Sequence, residues 1–170
     1  MAGCYANHAN VTGIDADKKS LNVAISHAKD ENLSINYTHL TLEDIIKAKK
    51  KYDVVLAMEV IEHVDNIEHF ILQLSNIINP NGIIIFSSIN RTIKSFLLAI
   101  IGAEYILRWV PTGTHNWNKF ITPEELEKML KINNIKLIET KGVVFNPIKY
   151  CWTASNDSSV NYMIAAKPKT

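Results

Sequence analysis

The stretch Tyr52–Val64, read as YDVVLAMEVIEHV, constrains the fold more than any other part of the sequence. Its first half is a short apolar run rich in β-branched residues. That is the pattern of a strand buried on both faces of a parallel sheet. The chemistry changes after Ala57, where Met58, Glu59, Glu62 and His63 arrive together as the strand should end. In open parallel α/β sheets, ligands bind just beyond the carboxyl ends of the strands. This junction is therefore a site candidate by position alone.

The rest of the chain alternates strand and helix patterns around it. Asn10–Ile14 reads as a short strand ending at Asp15, and Asp17 can cap a helix over about Lys18–Lys29. Ile35–His39 is a second strand, followed by a polar loop over Leu40–Asp44 and a short helix. Asn66–Ile78 carries apolar residues at helical spacing, and Asn79–Gly82 (NPNG) is a turn by composition. Gly82–Ser88 (GIIIFSS) reads as another buried strand. A long connection, Ile89–Ile121, precedes a helix opened by Thr122 as N-cap and Pro123 in the first turn. Ile135–Phe145 and Val160–Ala166 close the chain as strands, with a loop between them too short for a helical crossover. An antiparallel pair at one edge is the expectation. The fold class is α/β, a doubly wound and mostly parallel sheet, in one domain spanning residues 1–170 with an apolar insertion at about 92–120.

Composition excludes several alternatives. A net charge of +1 gives no bulk electrostatic case for a nucleic-acid partner. Cys4 and Cys151 stand far apart, without zinc-ligand spacing, which fits a reducing cytosol. The opening residues show no signal-peptide pattern, and no run of about 18 apolar residues exists to span a bilayer.

Three groups of residues can carry chemistry. Asp15, at the end of a strand, can accept hydrogen bonds from both hydroxyls of a ribose, because an ionised carboxylate only accepts. A turn or capping role is the plainer reading of the same residue. If the chain after Ala57 is helical, Glu59, Glu62 and His63 share one face. Two carboxylates and an imidazole there suit a divalent metal or acid–base work. A helix N-terminus favouring the two acids is the structural alternative. Ser95–Ile101 (SFLLAII), followed by Tyr105, Trp109 and flanking basic residues, suits contact with a membrane surface or a lipophilic ligand, or else a buried crossover.

The stretches VTGIDA (Val11–Ala16), YDVVLAMEVIEHV (Tyr52–Val64) and NPNGIIIFSSINR (Asn79–Arg91) resemble class I S-adenosylmethionine-dependent methyltransferases. The segment Lys94–Leu126, with FNPI (Phe145–Ile148) and VNYMIAAK (Val160–Lys167), is similar more narrowly to the ubiquinone biosynthesis O-methyltransferases. The resemblance implies a Rossmann-like fold and S-adenosyl-L-methionine as cofactor. It implies that Asp15 and Ala16 meet the ribose, Leu42 and Glu43 line the adenine, and Met58 packs beside the cofactor. Glu59 and His63 would be catalytic, and Glu59, Glu62 and His63 would ligate Mg2+. Asn90, Tyr105 and His115 would contact a polyprenyl phenol or quinol. A cytoplasmic protein at a membrane surface, associating with other ubiquinone-synthesis enzymes, is the implied setting. The family also has a first strand and a glycine-rich loop ahead of VTGIDA. None of the six glycines here forms that pattern. The expectation is thus an N-terminally truncated chain, with a non-catalytic α/β module that keeps membrane or partner contacts as the alternative.

Overall fold

The computed structural model describes residues 9–97, 116–146 and 151–169. The chain divides into two compact units, Met1–Lys50 and Lys51–Thr170.

In the first unit, β1 (Val11–Ile14) and β2 (Ile35–Thr38) pair in parallel, Val11 opposite Ile35 and Ile14 opposite Thr38. The crossover between them is α1 (Lys18–Asp30), which buries Leu21 and Ala28. Asp17 caps it as the sequence predicts, accepting from the amides of Lys19 and Ser20 at 3.1 and 3.0 Å. One helix starts earlier than predicted. α2 spans Leu42–Lys47, so Leu42 and Glu43 lie in a helical first turn rather than in a loop. The cause is a capping box. The Thr41 hydroxyl accepts from the Asp44 amide, and the Asp44 carboxylate accepts from the Thr41 amide.

The second unit is a five-stranded sheet with strand order β3-β4-β7-β5-β6. Its strands are β3 (Tyr52–Met58), β4 (Ile78–Ile89), β5 (Ile135–Asn146), β6 (Cys151–Ser155) and β7 (Asn161–Pro168). β3 and β4 pair in parallel. Both β4 and β5 run antiparallel to β7, so β3, β4 and β5 share one direction and β7 is inserted against them. The antiparallel pair expected from the last two predicted strands is β5 with β7. β6, which the sequence reading did not anticipate, adds a further antiparallel edge on β5.

Among the described residues, two helices cover this sheet. α3 (Ile67–Ile77) packs on β4 and on α5 (Pro123–Ile132), and α5 packs on β5. Ile71, Leu74, Ile84, Phe86, Leu126 and Leu130 form the centre of the core, each at most 2% exposed. Burying each is worth roughly 2 kcal/mol relative to leaving it in water. α5 begins as predicted, with Thr122 as N-cap, Pro123 in the first turn and Glu125 completing a capping box.

The turn predicted at Asn79–Gly82 is instead the start of β4, entered through a register irregularity between Tyr52 and Val54. Two contacts make an extended path possible there. Asn79 Nδ2 donates to Asp53 Oδ1 at 2.8 Å. At Gly82 a Cβ would stand 2.8 Å from the Asp53 carbonyl oxygen, so only glycine allows the two backbones to approach so closely.

Candidate functional site

β3 and β4 end side by side, with Met58 opposite Ser87. Beyond Met58 the chain is not helical, as Glu59 takes a left-handed φ of 52°, a conformation that costs a non-glycine residue energy. Ser87 holds it there. The Glu59 amide donates to the Ser87 carbonyl at 3.1 Å and to Ser87 Oγ at 3.0 Å. Ser87 Oγ in turn donates to Glu59 Oε1 at 2.8 Å. One residue further on, Ser88 Oγ donates to Glu62 Oε2 at 2.9 Å, and Glu62 is only 5% exposed.

Glu59 and Glu62 are close enough for the charge of one carboxylate to disfavour ionisation of the other. Burial and the neighbouring Glu62 charge push the Glu59 carboxyl up to about 7, with the Ser87 hydroxyl pulling the other way. Tyr162 lies fully buried nearby, its hydroxyl donating to the Ile121 carbonyl at 2.9 Å. Burial, then Glu62 and Glu59, raise its pKa, so the phenol stays protonated.

This geometry corrects the predicted metal set. Glu59, Glu62 and His63 share a face only if the chain after Ala57 is helical, and Ser87 instead holds Glu59 in a turn. The two acids converge on each other and on the β4 serines, while His63 is exposed and its amide closes a turn on the Val60 carbonyl at 2.9 Å. Among the described residues, no three acidic, histidine or cysteine side chains form a metal-ligating group. As a Mg2+ ligand set the three therefore do not fit. The acid pair remains.

In the first unit, Asp15 is half-buried at the end of β1, and its Oδ1 accepts from the Asp17 amide at 2.7 Å. That bond fixes the carboxylate, which makes no other hydrogen bond among the described residues. Ala16 is exposed, and its carbonyl accepts from His39 Nε2 at 2.9 Å. His39 was not singled out from the sequence. As a lone histidine after a strand it carried no signal, yet it ties the end of β2 to the turn that presents Asp15.

The other predicted residues are placed as follows. Asn90, half-buried just past β4, donates from its amide nitrogen to the Val160 carbonyl at 2.7 Å and from Nδ2 to the Ser158 carbonyl at 2.9 Å. Tyr105 and His115 lie outside the described residues, as does most of the apolar insertion. The chain on either side of it is described. The short helix α4 (Ile93–Ser95) is capped by Thr92. Trp117 Nε1 donates to the Thr92 carbonyl at 3.3 Å, and the Phe96 and Trp117 rings meet edge to face at 6.4 Å. Arg91, unremarked in the sequence, pairs with Glu125 and donates from Nη1 to the Phe120 carbonyl at 3.2 Å. Both line a cleft of about 320 Å³, together with Ile61, Glu62, Phe120 and Met129.

A family model described as a methyltransferase domain matches residues 2–140. The chain belongs to the methyltransferase-domain family. This methyltransferase domain is 44% identical over 160 residues to the ubiquinone biosynthesis O-methyltransferase of Azorhizobium caulinodans, covering 94% of the chain and 63% of that relative. The relative of the same name in Pelagibacter ubique is 46% identical over 155 residues, covering 91% and 64%. That in Rickettsia felis is 46% identical over 161 residues, covering 95% and 66%. The chain thus spans just under two thirds of the length of these curated relatives. Among solved structures it resembles a magnesium protoporphyrin IX methyltransferase from Synechocystis PCC 6803 with bound SAH (TM-score 0.63, 17% identity, 94% of this chain and 64% of that one). It also resembles an S-adenosylmethionine-dependent methyltransferase from Clostridium acetobutylicum (TM-score 0.64, 11% identity, 95% and 76%). At these identities the likeness is one of fold, and that fold is the class I methyltransferase fold predicted from the sequence.

Proposed function

We propose that this methyltransferase domain serves the S-adenosylmethionine-dependent O-methylation of a phenolic hydroxyl on a lipophilic polyprenyl precursor of ubiquinone. The observation that carries the chemistry is the Glu59–Glu62 carboxyl pair, held by Ser87 and Ser88 at the carboxyl ends of β3 and β4. A carboxyl group titrating at about 7 is matched to general base work at neutral pH. In its ionised form Glu59 takes the phenolic proton. Ser87 keeps the carboxylate in place, and Tyr162, locked in its protonated form, does not compete for that proton.

S-adenosylmethionine, when bound, supplies an electrophilic methyl group. The residues fit it by their chemistry. Asp15 is oriented through one oxygen by the Asp17 amide and retains acceptor capacity for a diol. Ala16, Leu42 and Glu43 stand in the turn after β1 and the first turn of α2, where the resemblance puts ribose and adenine contacts. Met58 brings a soft, adaptable thioether to the end of β3.

On the acceptor side the reading assigns Asn90, Tyr105 and His115 to the phenolic head group, and His63 to a supporting role near the base. A prenyl tail partitions into the bilayer, so the reading places the protein in the cytoplasm, peripheral to a membrane and alongside other ubiquinone-synthesis enzymes. No helix among the described residues is long and apolar enough to cross a membrane.

The test is calorimetric titration of S-adenosylhomocysteine into the 170-residue chain, with Asp15→Ala as control, followed by methyl transfer to a short-chain prenyl catechol. Micromolar binding that Asp15→Ala abolishes, together with turnover, supports the reading. A folded chain that binds no S-adenosylhomocysteine overturns it for this polypeptide.

A further inference from the structure

Ile84, Phe86, Ile164 and Ala166 lie on the face of the five-stranded sheet that α3 and α5 cover, and they are fully buried. Residues alternate faces along a strand, and directly paired residues share a face. The pairings Val54–Ile83, Leu56–Ile85, Ile85–Ala165 and Ser87–Met163 therefore gather Val54, Leu56, Ile83, Ile85, Met163 and Ala165 on the opposite face. That face stays open at β3 and β4. Val54, Leu56 and Ile83 are 55%, 46% and 39% exposed, and the other three are half-buried. Parallel strands are ordinarily covered on both faces, and a contiguous exposed apolar patch marks an interaction surface.

The border of the patch selects the partner. On the same face, Glu139 stands opposite Ala165 and Lys141 opposite Met163, so β5 borders the patch with one acid and one base. Their own ion pair is long, 3.4 Å, and largely in solvent, so it is weak and leaves both charges available. Ala57, Phe86, Ile164 and Thr140 form one row across β3, β4, β7 and β5. Ala165 and Glu139 lie on one side of that row, Met163 and Lys141 on the other. A two-fold axis laid along the row sets Ala165 of one copy against Met163 of the next, and Glu139 against Lys141, each contact occurring twice. The patch is thus complementary to itself in apolar character and in charge. A partner of single charge would meet a like charge at one of the two border positions.

We infer that this open face is a homodimer interface, at which a second copy of the chain packs sheet on sheet about a two-fold axis. Leu56, Ile85 and Ala165 form its apolar centre, and reciprocal Glu139–Lys141 pairs close its border. The patch is small beside the roughly 20–30 residues a side of a standard interface. The dimer is accordingly weak, with a Kd on the order of 10 µM. None of these residues takes part in the proposed methyl transfer, so the inference stands or falls independently of it.

The experiment is sedimentation equilibrium of the whole chain from about 1 to about 300 µM, a range that brackets the expected Kd. The mass should rise from one chain to two and stop there. Leu56→Lys places a charge from each copy in the apolar centre and should raise Kd by about tenfold or more, with far-UV circular dichroism unchanged. Glu139→Lys alone and Lys141→Glu alone should each weaken self-association. Mixing these two variants should restore a dimer, since each supplies the charge that the other lacks. An ion pair that acts only within one chain cannot be rescued by mixing, and this comparison decides even if Leu56→Lys fails to fold. A chain that stays monomeric throughout overturns the inference and leaves the face to a different polypeptide. A mass that grows past two chains, as open-ended pairing at the β3 edge would give, also overturns it. So does a dimer that either a folded Leu56→Lys or the charge variants leave unchanged.

Discussion

Ser87 and Glu59 are joined three times across the end of the β3–β4 pair. The Glu59 amide reaches both the carbonyl and the hydroxyl of Ser87, and that hydroxyl reaches back to the Glu59 carboxyl at 2.8 Å. The arrangement holds an acid in a left-handed turn beside a second acid, and it makes the stability of the fold depend on pH. The folded-state pKa of Glu59 is raised, from an ordinary 4.5 to about 7. Between those values the folded state binds more protons than the unfolded one, so stability falls as pH rises. The contribution is fully present below about pH 4.5, is lost progressively up to about pH 7 and is flat above that. Denaturant unfolding at pH 5 and pH 8 should differ by about 2 kcal/mol from this group. Glu59→Gln should remove that difference and make the protein more stable than wild type at pH 8. A variant that keeps the full wild-type slope would assign the dependence to other groups.

Ser87→Ala tests the same junction from its other side. It removes a hydroxyl that bonds the charged form of Glu59, so the Glu59 pKa should climb above about 7 rather than fall. It also leaves the Glu59 amide with the Ser87 carbonyl alone. The expected cost is about 1 kcal/mol of unfolding free energy. Carboxyl carbon chemical shifts followed from pH 4 to pH 9 give the titration directly. A downward shift would contradict the hydrogen-bond assignment.

The parts of this structure that the sequence revealed are those written in local chemistry. Asp17 before α1, and Thr122 with Pro123 before α5, announce helix starts because the capping partners lie within three residues. The apolar run of β3 and its abrupt end are equally local, but the run reads as buried on both faces while Val54 and Leu56 are 55% and 46% exposed. What escaped depends on neighbours distant in the chain. Glu59, Glu62 and His63 have helical spacing, but Ser87, on the adjacent strand, decides the backbone at Glu59. The serines that end GIIIFSS carried a signal, a polar pair closing an apolar strand, that became informative only once β4 lay against β3. β6 escaped because CWTAS is short and its strand character comes from pairing with Gly142–Asn146. Asn79–Gly82 reads as a turn until Asp53 is seen to bond Asn79. The orientation of Asn90 was similarly hidden, since Ser158 is nearly seventy residues away.

Arg91 and Glu125 offer a test of how the end of β4 is tied to α5. Glu125 does two jobs, accepting from the Thr122 amide at 3.0 Å as part of the capping box and pairing with Arg91. Both partners are partly exposed, 31% and 37%, so the ion pair itself contributes little. Glu125→Ala removes both the pair and the cap, whereas Glu125→Gln keeps an acceptor for the Thr122 amide, so Glu125→Ala should cost more than Glu125→Gln, by about 1 kcal/mol. Arg91→Ala leaves the cap in place and removes the pair together with the Arg91 bond to the Phe120 carbonyl. Chemical denaturation of the three variants separates these losses, and equal losses from Glu125→Ala and Glu125→Gln would mean that the capping bond contributes nothing.

His39 provides the last prediction, because it separates building the Asp15 turn from being the ligand group. The Ala16 carbonyl can only accept, so His39 Nε2 must carry the proton in the 2.9 Å bond between them. Ala16 follows Asp15 directly, and a carbonyl released there lets the turn relax. Asp15→Ala removes the acceptor proposed for the ribose diol and should weaken S-adenosylhomocysteine binding by at least about tenfold, equivalent to about 1.4 kcal/mol. It should also leave the unfolding midpoint nearly unchanged, since the Asp15 side chain accepts only the Asp17 amide among the described residues. His39→Ala should weaken binding less, by a few fold, and lower the midpoint more. His39→Gln, whose amide NH2 can still donate to a carbonyl, should recover part of both losses. Calorimetry and thermal unfolding on the three variants read the two effects separately. If His39→Ala left affinity and midpoint untouched, the Ala16 contact would not support the turn, and Asp15 would owe its position to the Asp17 amide alone.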